Sequence, residues 1–97
     1  MRRANLYDVE LERDPEPEGY GAAYRRIGPL VEAEETNLNV ILLEPGQAVC
    51  PYHYEYAEEW LLVLDGEVAV RTPEGEEPAV RGDAVCFPAG PDGAHKV

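Results

Sequence analysis

The sequence predicts an all-β sandwich or barrel. Short runs of strand-forming residues are separated by turn signals about every 8 to 10 residues. Those runs are apolar or alternate with period two, as strands do. No αβ alternation, heptad or internal repeat runs through the chain.

The first third is acidic and poorly periodic. Asp14-Pro15-Glu16-Pro17-Glu18-Gly19 reads as a turn or loop. Tyr20, Tyr24, Ile27, Leu30 and Val31 are enough to dock a short helix or irregular arm onto a core. From Leu38 the pattern turns to β. Leu38-Asn39-Val40-Ile41-Leu42-Leu43 is a strand ending at the turn Glu44-Pro45-Gly46. Trp60-Leu61-Leu62-Val63-Leu64 is a second, stopped by Asp65-Gly66, a two-residue hairpin signal. Val68 and Val70 alternate with polar or small residues. Thr72-Pro73-Glu74-Gly75-Glu76 makes a tight turn, followed by the short run Ala79-Val80-Arg81. Ala84-Val85-Cys86-Phe87 is a strand again, closed by Pro88-Ala89-Gly90-Pro91, and His95-Lys96-Val97 begins one more. Residues 1–36 are expected to form an N-terminal arm on a barrel core of residues 37–97.

The run from Trp60 to Leu64 is apolar on both faces, whereas a sandwich strand ordinarily hides one. The second face needs a cover, from the N-terminal arm or from another subunit, and a homodimer is expected. A chain of 97 residues buries its own surface only marginally, which points the same way.

Twenty acidic residues face eight basic ones, a formal net charge of −12. That balance repels nucleic acid and anionic membrane and suits a cation-binding protein. No run approaches the ~18 apolar residues of a membrane-spanning helix. Met1-Arg2-Arg3 is followed by Ala4-Asn5-Leu6-Tyr7-Asp8 rather than an apolar stretch, so no signal peptide is expected and the location predicted is cytoplasmic. Two cysteines, Cys50 and Cys86, are too few for a disulfide scaffold and fit a reducing compartment.

His53 and His95 are the two histidines of the chain. His53 lies in Pro51-Tyr52-His53-Tyr54-Glu55-Tyr56-Ala57-Glu58-Glu59-Trp60. Residues two apart in an extended segment share a face, so His53 and Glu55 project together. Glu59 shares its face with Leu61 and Val63, and a carboxylate at the rim of an inward face needs a partner. No lysine or arginine is near in sequence. A divalent cation supplies what the cluster lacks, because imidazole with carboxylate suits first-row metals.

Gly46, His53, Glu55, Glu59 and Gly66, followed by Gly82-Asp83-Ala84-Val85-Cys86-Phe87-Pro88-Ala89-Gly90 and His95, resemble the two motifs of the cupin superfamily. Those motifs read approximately G-x5-H-x-H-x3,4-E-x6-G and G-x5-P-x-G-x2-H-x3-N. The intervals from Glu59 to Gly66 and from Gly82 to Pro88 agree with them. The resemblance is to small single-domain bacterial cupins. It implies a cupin-type double-stranded β-helix, a jelly-roll barrel, with an irregular N-terminal arm. It also implies metal ligands at His53, Glu55, Glu59 and His95.

Three departures stand out. Glu55 replaces the second histidine, one extra residue separates Gly46 from His53, and the loop from Gly90 to His95 is two residues longer. Two histidines with two carboxylates form a harder set, favouring Mn(II), Fe(II), Ni(II) or Zn(II) over Cu(I). The family's closing asparagine and return strand do not follow His95 in this sequence, so the expectation is either that this copy is truncated or that the barrel is completed by a partner or by the N-terminal arm.

Two functions are open on these grounds. One is a metalloenzyme of isomerase or oxygenase type on a small polar metabolite. The other is a non-catalytic binding or sensor module for a small carbohydrate-like or acidic ligand. Tyr52, Trp60 and Phe87 are the candidates for lining the pocket. Gly66, Gly82 and Gly90 are expected to serve turns, Gly93 to ease the loop before His95, and Asp83 to cap a turn.

Overall fold

A computed structural model describes residues 1–13 and 17–97. It is all-β, with two short 3-10 turns, and divides into two compact units, Met1–Val49 and Cys50–Val97.

In the first unit, β1 (Ala23–Arg26) pairs antiparallel with β2 (Asn39–Leu42), Ala23 opposite Leu42 and Arg26 opposite Asn39. Where the sequence suggests a helix or irregular arm, the chain therefore has a strand. Ladder bonding to β2 supplies what the weak local pattern of Ala23-Tyr24-Arg25-Arg26 lacks. A 3-10 turn, Gly28–Val31, follows. Arg25 reaches back to the Glu10 carbonyl and the Glu12 carboxylate, and Arg13 pairs with Glu44. The Asp14–Gly19 turn falls partly on residues 14–16, outside those described; Pro17 to Tyr20 does close a turn, the Tyr20 N–H donating to the Pro17 carbonyl at 3.1 Å.

The second unit holds β3 (Glu59–Leu62), β4 (Glu67–Thr72), β5 (Gly75–Val80) and β6 (Ala84–Phe87). β4 and β5 form a hairpin across Pro73-Glu74, Thr72 opposite Gly75. Pro78 interrupts nothing, because β5 pairs on one side only, as a proline-bearing edge strand can. β3 does not pair with β4. It pairs antiparallel with β6, Glu59 opposite Phe87 and Leu62 opposite Ala84.

Asp65-Gly66 is therefore a corner rather than a hairpin turn. The chain leaves the β3–β6 ladder there and enters the β4–β5 ladder, with Gly66 at φ +77°. Gly82, at φ +93°, makes the return corner; its N–H donates to Val63 O at 2.7 Å. Both corners need left-handed backbone, which glycine adopts without the penalty a Cβ brings. Asp83 caps the return as expected, its carboxylate accepting the Val80 N–H at 2.8 Å.

Between the ladders lies one core of Val63, Val70, Ala79 and Phe87, edged by Leu61, Val68, Val85 and Val97. It is thin: none of the described side chains is completely buried. Past β6, a 3-10 turn at Pro91–Gly93 leads to His95. The last residues make two isolated bridges rather than a strand. His95 bridges His53, and Lys96 bridges Arg71 of β4. These bridges set His53, from before β3, beside His95, from after β6.

Candidate metal centre

Three of the four ligand candidates converge. His53, Glu59 and His95 offer donor atoms that all lie within 4.8 Å of one another. Each is placed by a different device. Glu59 opens β3 and shares its inner face with Leu61, opposite Phe87 of β6. His53 and His95 exchange two backbone bonds, 2.8 and 3.1 Å long, that hold their rings at a centroid distance of 5.0 Å. The His95 ring lies flat on Phe87, centroids 3.7 Å apart and planes 10° from parallel, and His95 is only 5% exposed.

The histidines are oriented alike. His53 Nδ1 is 2.9 Å from the Pro51 carbonyl and His95 Nδ1 is 2.8 Å from the Gly93 carbonyl. A carbonyl oxygen only accepts, so Nδ1 must carry the proton on both rings. In the neutral rings Nε2 then presents its lone pair. His95 Nε2 lies 3.6 Å from Glu59 Oε2, and His53 Nε2 lies 3.3 Å from Glu55 Oε1. A lone pair facing a carboxylate is repulsive unless a cation, proton or metal, lies between them. Metal-bound histidines characteristically donate their other ring N–H to a carbonyl or carboxylate, which fixes tautomer and direction. The donor set therefore fits a divalent first-row ion.

Glu55 stands apart from the three. Its carboxylate meets His53 as the shared parity of the two residues predicts, but it is not in the converging group. Phe87 supports His95 from below. Tyr52 is an exposed ring with the Arg71 guanidinium 5.8 Å over its face. Trp60 does not line the site. Neighbouring strand residues point to opposite faces, so with Glu59 inward, Trp60 is turned outward and is 63% exposed. A small cleft of about 100 Å³, open to solvent, is lined by Val70, Thr72, Glu77, Pro78, Ala79 and Val85 and takes none of the candidate ligands.

Sequence reasoning missed two parts of the site. One is the pair of orienting carbonyls, each two residues before its histidine, for which Pro51 and Gly93 were the available signal. The other is Cys50, whose Sγ lies 3.4 Å from His53 Nδ1. Burial, then the charges of Glu59 and Glu55, push its thiol above the usual range, with Lys96 acting weakly the other way.

Two antiparallel ladders about one core, with two histidines and a glutamate turned toward each other, define a small β-barrel protein with a candidate metal-binding group. The family model for the cupin domain matches residues 39–97, more than half of the chain, and the protein belongs to that family. Its fold is the cupin jelly roll. No curated protein and no solved structure matches the chain. Among the described residues no helix is long and apolar enough to cross a membrane.

Proposed function

We propose that this cupin is a metalloprotein holding one divalent ion, Mn(II), Fe(II), Ni(II) or Zn(II), through His53, Glu59 and His95, with Glu55 close by as a further ligand. The observation that carries the reading is the matched tautomer of the two histidines. Both have Nδ1 committed to a backbone carbonyl and Nε2 facing a carboxylate. The residue types agree, since two imidazoles and a carboxylate suit mid-series dications.

We further propose a metalloenzyme of isomerase or oxygenase type acting on a small polar metabolite. A bound dication with open positions polarises a carbonyl or hydroxyl oxygen or activates water or dioxygen. Within the chain, Phe87 holds His95 in plane, the Pro51 and Gly93 carbonyls hold the ring protons away from the ion, and Glu59 balances its charge. The half-exposed Glu59 leaves one side of the cluster open to an incoming ligand. We read the protein as a cytoplasmic homodimer; its two cysteines are free thiols, which agrees with a reducing compartment.

Elemental analysis of chelator-stripped, reloaded protein tests the metal. The expected result is one transition ion per chain in the wild type and loss of it in His53→Ala and His95→Ala. No stoichiometric ion after reloading would sink the reading. Turnover of small hydroxy or carbonyl acids that vanishes with either substitution separates an enzyme from a binding module. Tight ligand binding that survives both would favour the module.

A further inference from the structure

Glu55 stands where the cupin motif has a histidine. The two side chains differ in ways that matter to an ion. A neutral imidazole brings no charge and turns about two bonds. A glutamate brings a negative charge and turns about three, so it reaches further and takes more positions.

The structure fixes the main chain here and leaves the side chain half in solvent. His53 exchanges two backbone bonds with His95, and the Glu55 carbonyl accepts the Gly90 N–H at 2.7 Å. Tyr54 and Tyr56, one residue to each side, pack edge to face at 5.9 Å. The Glu55 side chain is 52% exposed, against 7% for His95. Its carboxylate lies 3.3 Å from His53 Nε2 but outside the mutual group of His53, Glu59 and His95. Two donors that share an ion at about 2.1 Å stand about 3.0 to 3.4 Å apart, for angles between square and tetrahedral. Glu55 is thus at ligand spacing from one donor and stands off from the other two. Rotation about its own side-chain bonds carries it toward the ion or away, with no movement of the backbone.

Charge decides what takes its place. Two neutral imidazoles and Glu59 leave a dication with one positive charge, which Glu55 cancels. A group that replaces Glu55 without exposing that charge brings an oxygen donor and one negative charge. A carboxylate does both, whereas a neutral sugar or amide brings no charge. We infer that Glu55 is an exchangeable ligand, which closes the site at rest and yields its place to the carboxylate of a small acidic metabolite. One carboxylate leaves as another arrives, so the net charge is unchanged. The inference rests on the metal reading above and narrows its substrate to carboxylic acids.

The test uses Co(II), whose visible spectrum reports its ligands, with glycolate as the acid and glycolamide as its neutral counterpart, at neutral pH. In the wild type, glycolate should change the spectrum saturably and glycolamide should not. Glu55→Gln keeps the shape of the side chain and removes its charge. Its resting spectrum should differ from that of the wild type, and it should hold Co(II) about tenfold more weakly. It should bind glycolate about tenfold more tightly, having no side chain to displace. At saturating glycolate the two spectra should coincide, because Glu55 has left in one protein and was never present in the other. Identical resting spectra, or spectra that still differ at saturation, would overturn the inference, as would a response to glycolamide equal to that to glycolate. A wild type that takes up no Co(II) overturns the metal reading instead.

Discussion

Replacing Glu59 with glutamine separates a metal centre from a pair of surface ion contacts. The side chain keeps its shape and loses its charge. Without metal, the carboxylate faces the lone pair of His95 Nε2 at 3.6 Å. A carboxamide in its place can donate an N–H to that nitrogen, so the metal-free variant should differ from the wild type by less than about 1 kcal/mol. With metal the difference is large. An ion at 100 times its dissociation constant stabilises the native state by about 2.7 kcal/mol. A domain of this size moves its thermal midpoint by about 4–8 °C per kcal/mol, so the wild type should rise by about 10–20 °C. Glu59→Gln removes one of three converging donors and should lose most of that rise. The assay is thermal unfolding of chelator-treated protein, with and without added Mn(II), Ni(II) or Zn(II). An equal metal-induced rise in variant and wild type would refute the reasoning. So would a metal-free variant destabilised by several kcal/mol, because Glu59 would then be serving a buried ion pair.

Other consequences can be checked separately. Gly93→Ala should weaken metal binding at least about tenfold, because a Cβ there collides with the Pro88 carbonyl and displaces the loop whose Gly93 carbonyl orients His95; titration calorimetry measures it. Asp83→Ala should cost about 1 kcal/mol in denaturant unfolding by removing the acceptor of the Val80 N–H, with metal affinity unchanged. Cys50, read by alkylation in a Cys86→Ser background, should react more slowly than a free thiol at neutral pH. Its raised pKa keeps it protonated there, and reactivity should climb only above the usual thiol range. Glu55→Gln removes one of the charges that raise it and should speed the reaction.

Much of the fold was legible because turn chemistry is local. Glu44-Pro45-Gly46, Thr72-Pro73-Glu74-Gly75 and the Gly82-Asp83 corner announce themselves through residues whose backbone preferences need no neighbour. The partnership of strands is not local. Asp65-Gly66 carries a hairpin signature, yet β3 goes to β6, a pairing that brings Leu61, Val85 and Phe87 onto the shared core and leaves Trp60 and Leu62 outward. The strand at Ala23–Arg26 was equally hidden, being held by its ladder with β2 rather than by its own composition.

The site divides along the same line. The sequence named His53, Glu55, Glu59 and His95 through their resemblance to the cupin motifs, and strand parity by itself supplied only that His53 and Glu55 share a face. Trp60 was a pocket-lining candidate on the sequence, and the structure turns it to the side of the strand opposite Glu59. Which donors meet is a matter of three dimensions. His53 and His95 are separated by most of the second unit, and only the backbone bridge between them closes that distance. Convergence of three donors with Glu55 beside them, the tautomer imposed by the Pro51 and Gly93 carbonyls, and the stacking of His95 on Phe87 all depend on contacts between distant segments. Sequence carries the identity of the ligands, and tertiary structure decides which of their atoms face one another, because a lone pair has a direction only once its ring is held.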